Sequence, residues 1–496
     1  MTQRRLIISL AFLSIFAMAA RISMDTDTWW HLQTGKWIVE HRAVPQSDSF
    51  SYTRLGETWR YPSAAWLTES ALYALYNAGG PGAVNLWVAA VVTAAFVFVY
   101  FTLSGGPFLR FSVLILAASA SAVYWAARPY LMSFLFTAVF LWVLEDFRWG
   151  RAKRLFLLPI VMLVWVNSHP GFAIGFVLLG IYFLSALGEG IKTHFSGQKQ
   201  SSILVHNLRK ELMPLILIGL LSVAAAAINP SGPKMLLYPF ETLSIGILRN
   251  FIQEWQSPDF HARELQAFLA LLLGVIAVFA FSRRRAALSD VLLVSVFAYL
   301  ALLAGRNVAL FALMAAPALS RHAQPLIAEL AGSFHLKLNT RTQPSRPQSV
   351  VNFGILLFAI VALVIKIQQI YPASINQAAF AKQVPVGAVD YLRDQSPSGR
   401  LFNSYNWGGY LIWALAEYPV FADGRTDLYS DEILSQWLAV VVAEPGWQAR
   451  LETWDVHLVL LEPHWPLVKL LPSEGWTLLY QDEIAVLFAK EVINTQ

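Results

Sequence analysis

Met24-Asp-Thr-Asp-Thr-Trp-Trp-His31 follows closely on the apolar run Leu6 to Ala20, so two carboxylates, two indoles and an imidazole stand where a first membrane helix would end. Acidic groups beside hydrocarbon are costly unless they are paired or used, which makes Asp25 and Asp27 candidates for chemistry. The plain alternative is that either acid caps the helix opened by Trp29-Trp30. Residues two apart do not share a helix face, so the two acids need not act together, whereas His31, four after Asp27, shares its face.

The rest of the chain agrees with a membrane setting. Its 496 residues are 56% hydrophobic and 14% charged, more apolar surface than a soluble protein can hide. The absence of Cys excludes disulfides, thiolate metal sites and a cysteine nucleophile, leaving oxygen or imidazole as the only ligands for a metal. The net charge of +5 is gathered in a few loops, a topology signal with no nucleic-acid partner implied. The first apolar run has the look of a signal peptide but continues into the acidic aromatic segment and is read as a retained helix.

With about 20 apolar residues needed per span, the sequence predicts about eleven crossings. They lie at 5–22, 82–103, 108–127, 129–146, 155–168, 170–187, 211–228, 264–282, 289–304, 307–320 and 350–370. Arg4-Arg5, Arg148 to Arg154, Lys192 to Lys210, Arg283-Arg284-Arg285 and Arg321 to Arg346 then fall on one side, which the positive-inside rule makes cytoplasmic, together with the N-terminus. A transmembrane domain over 1–370 is expected, with a first outer loop at 23–81, a late outer loop at 229–263 and a cytoplasmic linker at 321–349. Residues 371–496 are expected to form a small extracytoplasmic α/β domain. Its strands are read at Arg400–Asn403, Tyr418–Ala422, Val456–Leu461 and Ile484–Phe488, and its helices over Asp431–Val442 and Trp447–Trp454. The fold class is thus a polytopic α-helical membrane protein with a C-terminal α/β domain.

No Walker loop, His-Glu-x-x-His or Gly-x-Ser-x-Gly occurs, so nothing points to nucleotide hydrolysis, zinc proteolysis or a serine hydrolase. Three other stretches carry a resemblance. Asp27-Thr-Trp-Trp-His-Leu32, with Gly35, Ile38 and Pro45 after it, resembles the first outer loop of oligosaccharyltransferase catalytic subunits, which belong to the GT-C class of membrane glycosyltransferases. Ile252-Gln-Glu254, within Arg249 to Pro258 and downstream of Asn229-Pro-Ser-Gly, resembles the Ile/Val-x-Glu element of their late outer loop. Asn403-Ser-Tyr-Asn-Trp-Gly-Gly-Tyr-Leu-Ile412, followed by Phe421-Ala-Asp-Gly-Arg-Thr-Asp427, resembles their Trp-Trp-Asp-Tyr-Gly-Tyr region. Taken residue by residue, each stretch has a plainer reading: a capped interfacial helix, a solvated glutamate, and glycines at turns near strand ends.

The resemblance implies transfer of a sugar or oligosaccharide from a polyprenyl-phosphate donor to an acceptor on the extracytoplasmic face. Asp27, Asp25 and Glu254 would be the catalytic acids, and a divalent cation, Mg2+ or Mn2+, would be held by Asp27 and Glu254. His31, Trp407, Tyr410, Asp423 and Arg425 would serve substrate binding. Two departures alter that expectation. Trp407-Gly-Gly-Tyr410 lacks the motif's Asp, so recognition of Asn-x-Ser/Thr acceptors is not carried over. The hairpin Ala126-Ala-Arg-Pro-Tyr130 lacks the second acidic pair, so a cation has few ligands and a general base or a weakly held metal is favoured. Arg128, His169 and Arg306 stand instead at outer hairpin ends, where guanidinium groups suit phosphate oxygens; snorkelling to headgroups or pairing with the nearby acids is the alternative. Two other functions stay open, a transporter or flippase of a lipid-linked or polar solute and a non-catalytic GT-C relative in envelope assembly.

Overall fold

The computed structural model describes all residues except 62, 196–200, 247–251, 334–343 and 491–496. The chain forms two compact units, a helical one of residues 1–21, 85–236 and 253–370, and a mixed one of 22–84, 237–252 and 371–496. The grouping differs from a simple division at residue 370, because the first expected outer loop clusters with the C-terminal region.

Each expected crossing falls on helix. Among the described residues, six helices are long and apolar enough to cross a membrane: Trp66–Thr102, Pro107–Tyr124, Tyr130–Arg148, Pro170–Ile191, Arg263–Phe281 and Arg346–Ile370. The chain is an integral membrane protein. Leu157–Ser168 and Leu288–Leu303 have 12 and 16 residues. At about 1.5 Å per residue both fall short of a hydrocarbon core roughly 30 Å thick. Trp66–Thr102 is broken where Gly79 and Gly80 leave helical geometry, Gly80 at φ +62°, just before Pro81. That break explains why the apolar pattern begins near residue 82, although helix already starts at Trp66.

Two expected loops are helical over much of their length. Ala173–Phe195 and Ser201–Ala226 extend into the basic stretch 192–210, whose centre lies outside the described residues. The linker expected over 321–349 is corrected at both ends. Helix Val308–Ser333 runs through its first part and Arg346–Ile370 begins within its last, while 334–343 lie outside the described residues. Arg321 is 1% exposed and donates to Glu145 at 2.6 Å and to Asp290 at 2.8 Å, and Arg148 donates to the same Asp290 at 2.7 Å. Polar composition was read as a solvated segment, but here opposite charges from three helices satisfy one another in the interior.

In the mixed unit, a four-stranded sheet has the order β1-β2-β4-β3, with β1 Arg400–Asn403, β2 Val456–Leu461, β3 Trp476–Gln481 and β4 Val486–Lys490. β1 and β2 are parallel, and the other pairings are antiparallel. Tyr418–Ala422 is no strand; only Val420 forms an isolated bridge, with Ser51, and Pro419 beside it has no N–H to give a ladder. β3 replaces it, an edge strand mostly open to solvent whose polar face weakened its sequence signal. Phe402, Val459, Leu461 and Phe488 pack on Trp437 and Ile433 on one side. Leu401, Leu458, Leu460 and Leu487 pack on Leu411, Trp407 and Trp30 on the other, which sets the Trp-Trp helix into the core of the mixed unit.

Candidate functional site

In the mixed unit, helix Thr28–His41 begins just after the two acids, and the backbone N–H of Asp27 donates to Oδ1 of Asp25 at 2.9 Å. Asp25 thereby organises the turn. Asp27 occupies the cap position but makes no side-chain cap bond, so the capping account does not explain its carboxylate. Both acids are half-buried. The carboxylate of Asp27 is seated over Gly424, where an added Cβ would come within 2.7 Å of its Cγ. A Cβ on Gly409 would come equally close to the carbonyl of Thr26, at 2.7 Å. The first and third stretches singled out in the sequence therefore meet, and Gly-Gly and Asp-Gly are needed for close approach as much as for turning.

His31 is buried, and its Nδ1 lies 2.8 Å from Oε1 of Glu69, whose other oxygen accepts from Ser63. This histidine is therefore held by an acid from the start of helix Trp66–Thr102. Glu69 was missed in the sequence. The signal was present, an acid at the head of an apolar helix, and it is the same signal that marked Asp25 and Asp27.

Asp423 and Arg425 are equally enclosed. Arg425 donates to Asp423 at 2.8 and 2.6 Å and to Asp48 at 2.5 Å, while Tyr429 donates to Asp423 at 2.5 Å. All three charged side chains are fully buried. Burial works against the charge on Arg425, yet Asp423, Tyr429 and Asp48 hold its proton well above the usual range. Their bonding capacity is spent within the fold, tying the segment around Asp48 to the loop before helix Thr426–Val441. Asp427 accepts from Trp59 Nε1 at 3.3 Å, and burial pushes its carboxyl above the ordinary value. Trp407 is 2% exposed and donates to the carbonyl of Gln383 at 3.0 Å. Tyr410, half-buried, sets its ring against Trp29 at 5.7 Å. The structure thus encloses Asp423, Arg425 and Trp407 within the mixed unit.

The helical unit gathers a second set. Oε2 of Glu254 lies 3.5 Å from Arg128 and Oε1 lies 3.6 Å from Arg306, so each guanidinium takes one oxygen. The three side chains are 22 to 30% exposed. Arg306 lies over the ring of Trp255 at 4.3 Å, and Arg128 over Tyr130 at 5.8 Å. Burial opposes the charge on Glu254, but the two arginines outweigh it and hold the carboxyl below its ordinary range. His169 takes the N–H of Gly171 on Nδ1 at 3.0 Å, and Ser133, whose Oγ already accepts from Trp165, lies 2.7 Å from the same nitrogen. Nδ1 is then an acceptor, and the ring's proton sits on Nε2. Burial, followed by the charges of Arg306 and Arg128, pushes His169 well below its usual value, so it is neutral. Arg249 to Phe251, the start of the second resembling stretch, lie outside the described residues.

The expected divalent cation does not fit Glu254. A carboxylate already shared by two guanidinium groups presents a cation with net positive charge. Among the described residues no group of three or more His, Asp or Glu side chains is arranged to hold a metal ion. Asp27 and Glu254 belong to different compact units.

No family model and no characterised protein matches the sequence. Solved structures do. Archaeal oligosaccharyltransferase AglB from Archaeoglobus fulgidus, in complex with an inhibitory peptide and a dolichol-phosphate, is similar over 98% of this chain and 75% of its own, with TM-score 0.57 and 12% identity. The Archaeoglobus fulgidus oligosaccharyltransferase tethered to an acceptor peptide containing the NVT sequon gives TM-score 0.53 at 12% identity, over 98% and 74% of the two chains. Its apo form gives 0.51 at 12% identity, over 98% and 75%. Likeness over nearly the whole chain at so low an identity is a statement about architecture. The chain has the fold of the archaeal oligosaccharyltransferase.

Proposed function

We propose that this chain is a GT-C-type glycosyltransferase that moves a sugar or oligosaccharide from a polyprenyl-phosphate-linked donor to an acceptor on the extracytoplasmic face. The observation that carries this reading is the carboxylate of Asp27, which caps nothing in its own helix and is seated over Gly424 in a fold shared with an oligosaccharyltransferase.

Glycosyl transfer needs a proton taken from the acceptor and charge stabilised on the departing phosphate. In this reading Asp27 accepts the acceptor's proton as the acceptor atom bonds to the anomeric carbon. The anomeric C–O bond breaks with its electron pair leaving on the phosphate. Within the helical unit, Arg128 and Arg306 carry the guanidinium geometry that suits phosphate oxygens, and the Nε2–H of His169 is a further donor. Asp25 positions Asp27 through the turn they share, and His31 is a positioning residue held by Glu69. Glu254 sets the charge between the arginines.

The test is transfer of labelled sugar from a polyprenyl-phosphate donor by the purified protein in nanodiscs. Asp27→Ala is expected to abolish turnover while donor binding and thermal stability stay near wild type. Wild-type rates from that variant would remove the reading.

A further inference from the structure

In the helical unit, the hairpin 149–156 joins the apolar helix Tyr130–Arg148 to helix Leu157–Ser168. Asp146, near the end of the first helix, is 5% exposed and organises the turn that follows. Its carbonyl accepts the backbone N–H of Arg151 at 2.9 Å, its Oδ1 lies 2.9 Å from the Arg151 guanidinium, and its Oδ2 accepts from Arg154. Gly150, at φ +81°, provides the left-handed step that turns the chain back. Arg154 also lies over the ring of Trp142 at 4.8 Å. One buried carboxylate and one indole thus hold two arginine side chains that remain 65 and 46% exposed. Lys153 between them is exposed, and so are the rings on either side, Trp149 at 54% and Phe156 at 62%. Arg148 behaves differently and donates inward to Asp290 at 2.7 Å.

An arginine that merely snorkels to the headgroups needs no acid beneath it, and ordering two long side chains costs conformational entropy. Here Asp146 meets that cost before any ligand arrives. A guanidinium has five N–H donors, and Asp146 engages one nitrogen of each, which leaves donors on side chains about half open to solvent beside the Lys153 ammonium. The segments of the helical unit outside the described residues, 196–200 and 334–343, contain no Asp or Glu to take these cations up. Phosphate oxygens suit this donor set. Exposed Trp149 and Phe156 border a helix long enough to span the membrane, the level at which such rings meet headgroups and acyl chains. A free anion would use the cations and leave the rings bare, whereas a lipid uses both. We propose that the hairpin 149–156 is a docking site for an anionic phospholipid, whose phosphate is bound by Arg151, Lys153 and Arg154 and whose acyl chain lies along Trp149 and Phe156. The site does not depend on the transfer reading.

The test titrates the delipidated full chain with dioleoyl phosphatidylglycerol and with dioleoyl phosphatidylcholine, read by native mass spectrometry. The anionic lipid is expected to bind about tenfold tighter, because each basic side chain near the membrane surface adds to its attraction. The triple variant Asp146→Asn, Arg151→Gln, Arg154→Gln keeps the side-chain shapes, strands no buried charge and should abolish that preference. Lys153→Glu leaves Asp146 and its arginines in place and should cut the preference on its own. Arg284→Gln with Arg285→Gln removes two arginines from another exposed basic stretch and should leave it intact. Equal binding of the two lipids by the wild type, or a preference that survives both hairpin variants, would overturn the proposal. Equal loss in the Arg284 and Arg285 variant would assign the preference to the general field of charge and overturn it too. Ammonium phosphate, at an ionic strength matched to ammonium acetate, should leave the lipid bound; displacement would make this a site for a free anion and not for a lipid.

Discussion

Two clusters of arginine and acid, one in each compact unit, look alike in sequence and differ in physical character. Around Arg425, two aspartates lie at 2.5 to 2.8 Å and the Tyr429 hydroxyl at 3.1 Å, every charged side chain is fully buried, and each carboxylate oxygen has an internal partner. Around Glu254, two arginines stand at 3.5 and 3.6 Å with about a quarter of each side chain exposed. A saturated, dry cluster has nothing left to offer a ligand, and losing one member strands a buried charge. A partly exposed one of looser contacts stays within reach of a ligand such as a phosphate. Exposure, more than residue type, separates a cluster that holds the fold from one suited to binding.

Asp27, which belongs to neither cluster, sets the scale for changes that act on chemistry alone. Asp27→Ala should lower the transfer rate by about 10²–10⁴, the range for loss of a general base, with the melting temperature unchanged. Rate loss accompanied by unfolding would make Asp27 part of the scaffold.

The sharpest contrast between the clusters is Arg425→Met. It leaves Asp48 and Asp423 facing each other without a cation and should cost about 3–5 kcal/mol of stability, read as a lower melting temperature and faster proteolysis. A variant with native stability but weaker substrate binding would turn the comparison around. Gly424→Ala tests close approach separately. The added Cβ collides with the carboxylate of Asp27. Misplacing a reacting group by about 1 Å can cost about 10² in rate, so kcat should fall while β1–β4 and their core stay folded. Native kcat in that variant would show that Asp27 tolerates displacement.

Arg306→Gln should weaken binding of undecaprenyl methyl phosphate about tenfold and leave the melting temperature within error, opposite in pattern to Arg425→Met. The smallest expected effect is that of pH. Arg128 and Arg306 hold the Glu254 carboxyl below its ordinary value, so the folded state binds its proton less readily than the unfolded chain. Its contribution is then fully present above the unfolded value of about 4.3 and is lost only as pH falls through the lower folded value. Binding of the same lipid should therefore be flat from pH 8 to pH 5. A transition inside that window would mean that Glu254 is not held by the arginine pair.

Much of the architecture was legible in the chain because membrane burial is a local requirement. Every span needs its own apolar run, and such runs are visible one at a time. The strands at 400–403 and 456–461 were visible for the same reason, as short apolar runs buried on both faces. Tyr418–Ala422 misled because apolar content cannot show that Pro419 withholds an N–H from the ladder, and β3 was missed because an edge strand need not be apolar on both faces. Arg321 misled in the opposite direction. Its partners Glu145 and Asp290 lie 176 and 31 residues away, and composition cannot show that distant charges meet.

The sequence by itself determined that this is a membrane protein, that the acids at 25 and 27 stand beside a helix start, and that Glu254, Arg128, His169 and Arg306 are unusual where they occur. Those conclusions follow from the cost of polar groups next to hydrocarbon, which depends only on neighbours along the chain. Tertiary structure decided which of these charges meet. It seated Asp27 over Gly424, closed Arg425 between two aspartates, and set Glu254 between two arginines. Pairing is a property of distance in space, and residues that satisfy each other's charge across hundreds of positions leave no periodicity or spacing by which a sequence could announce it.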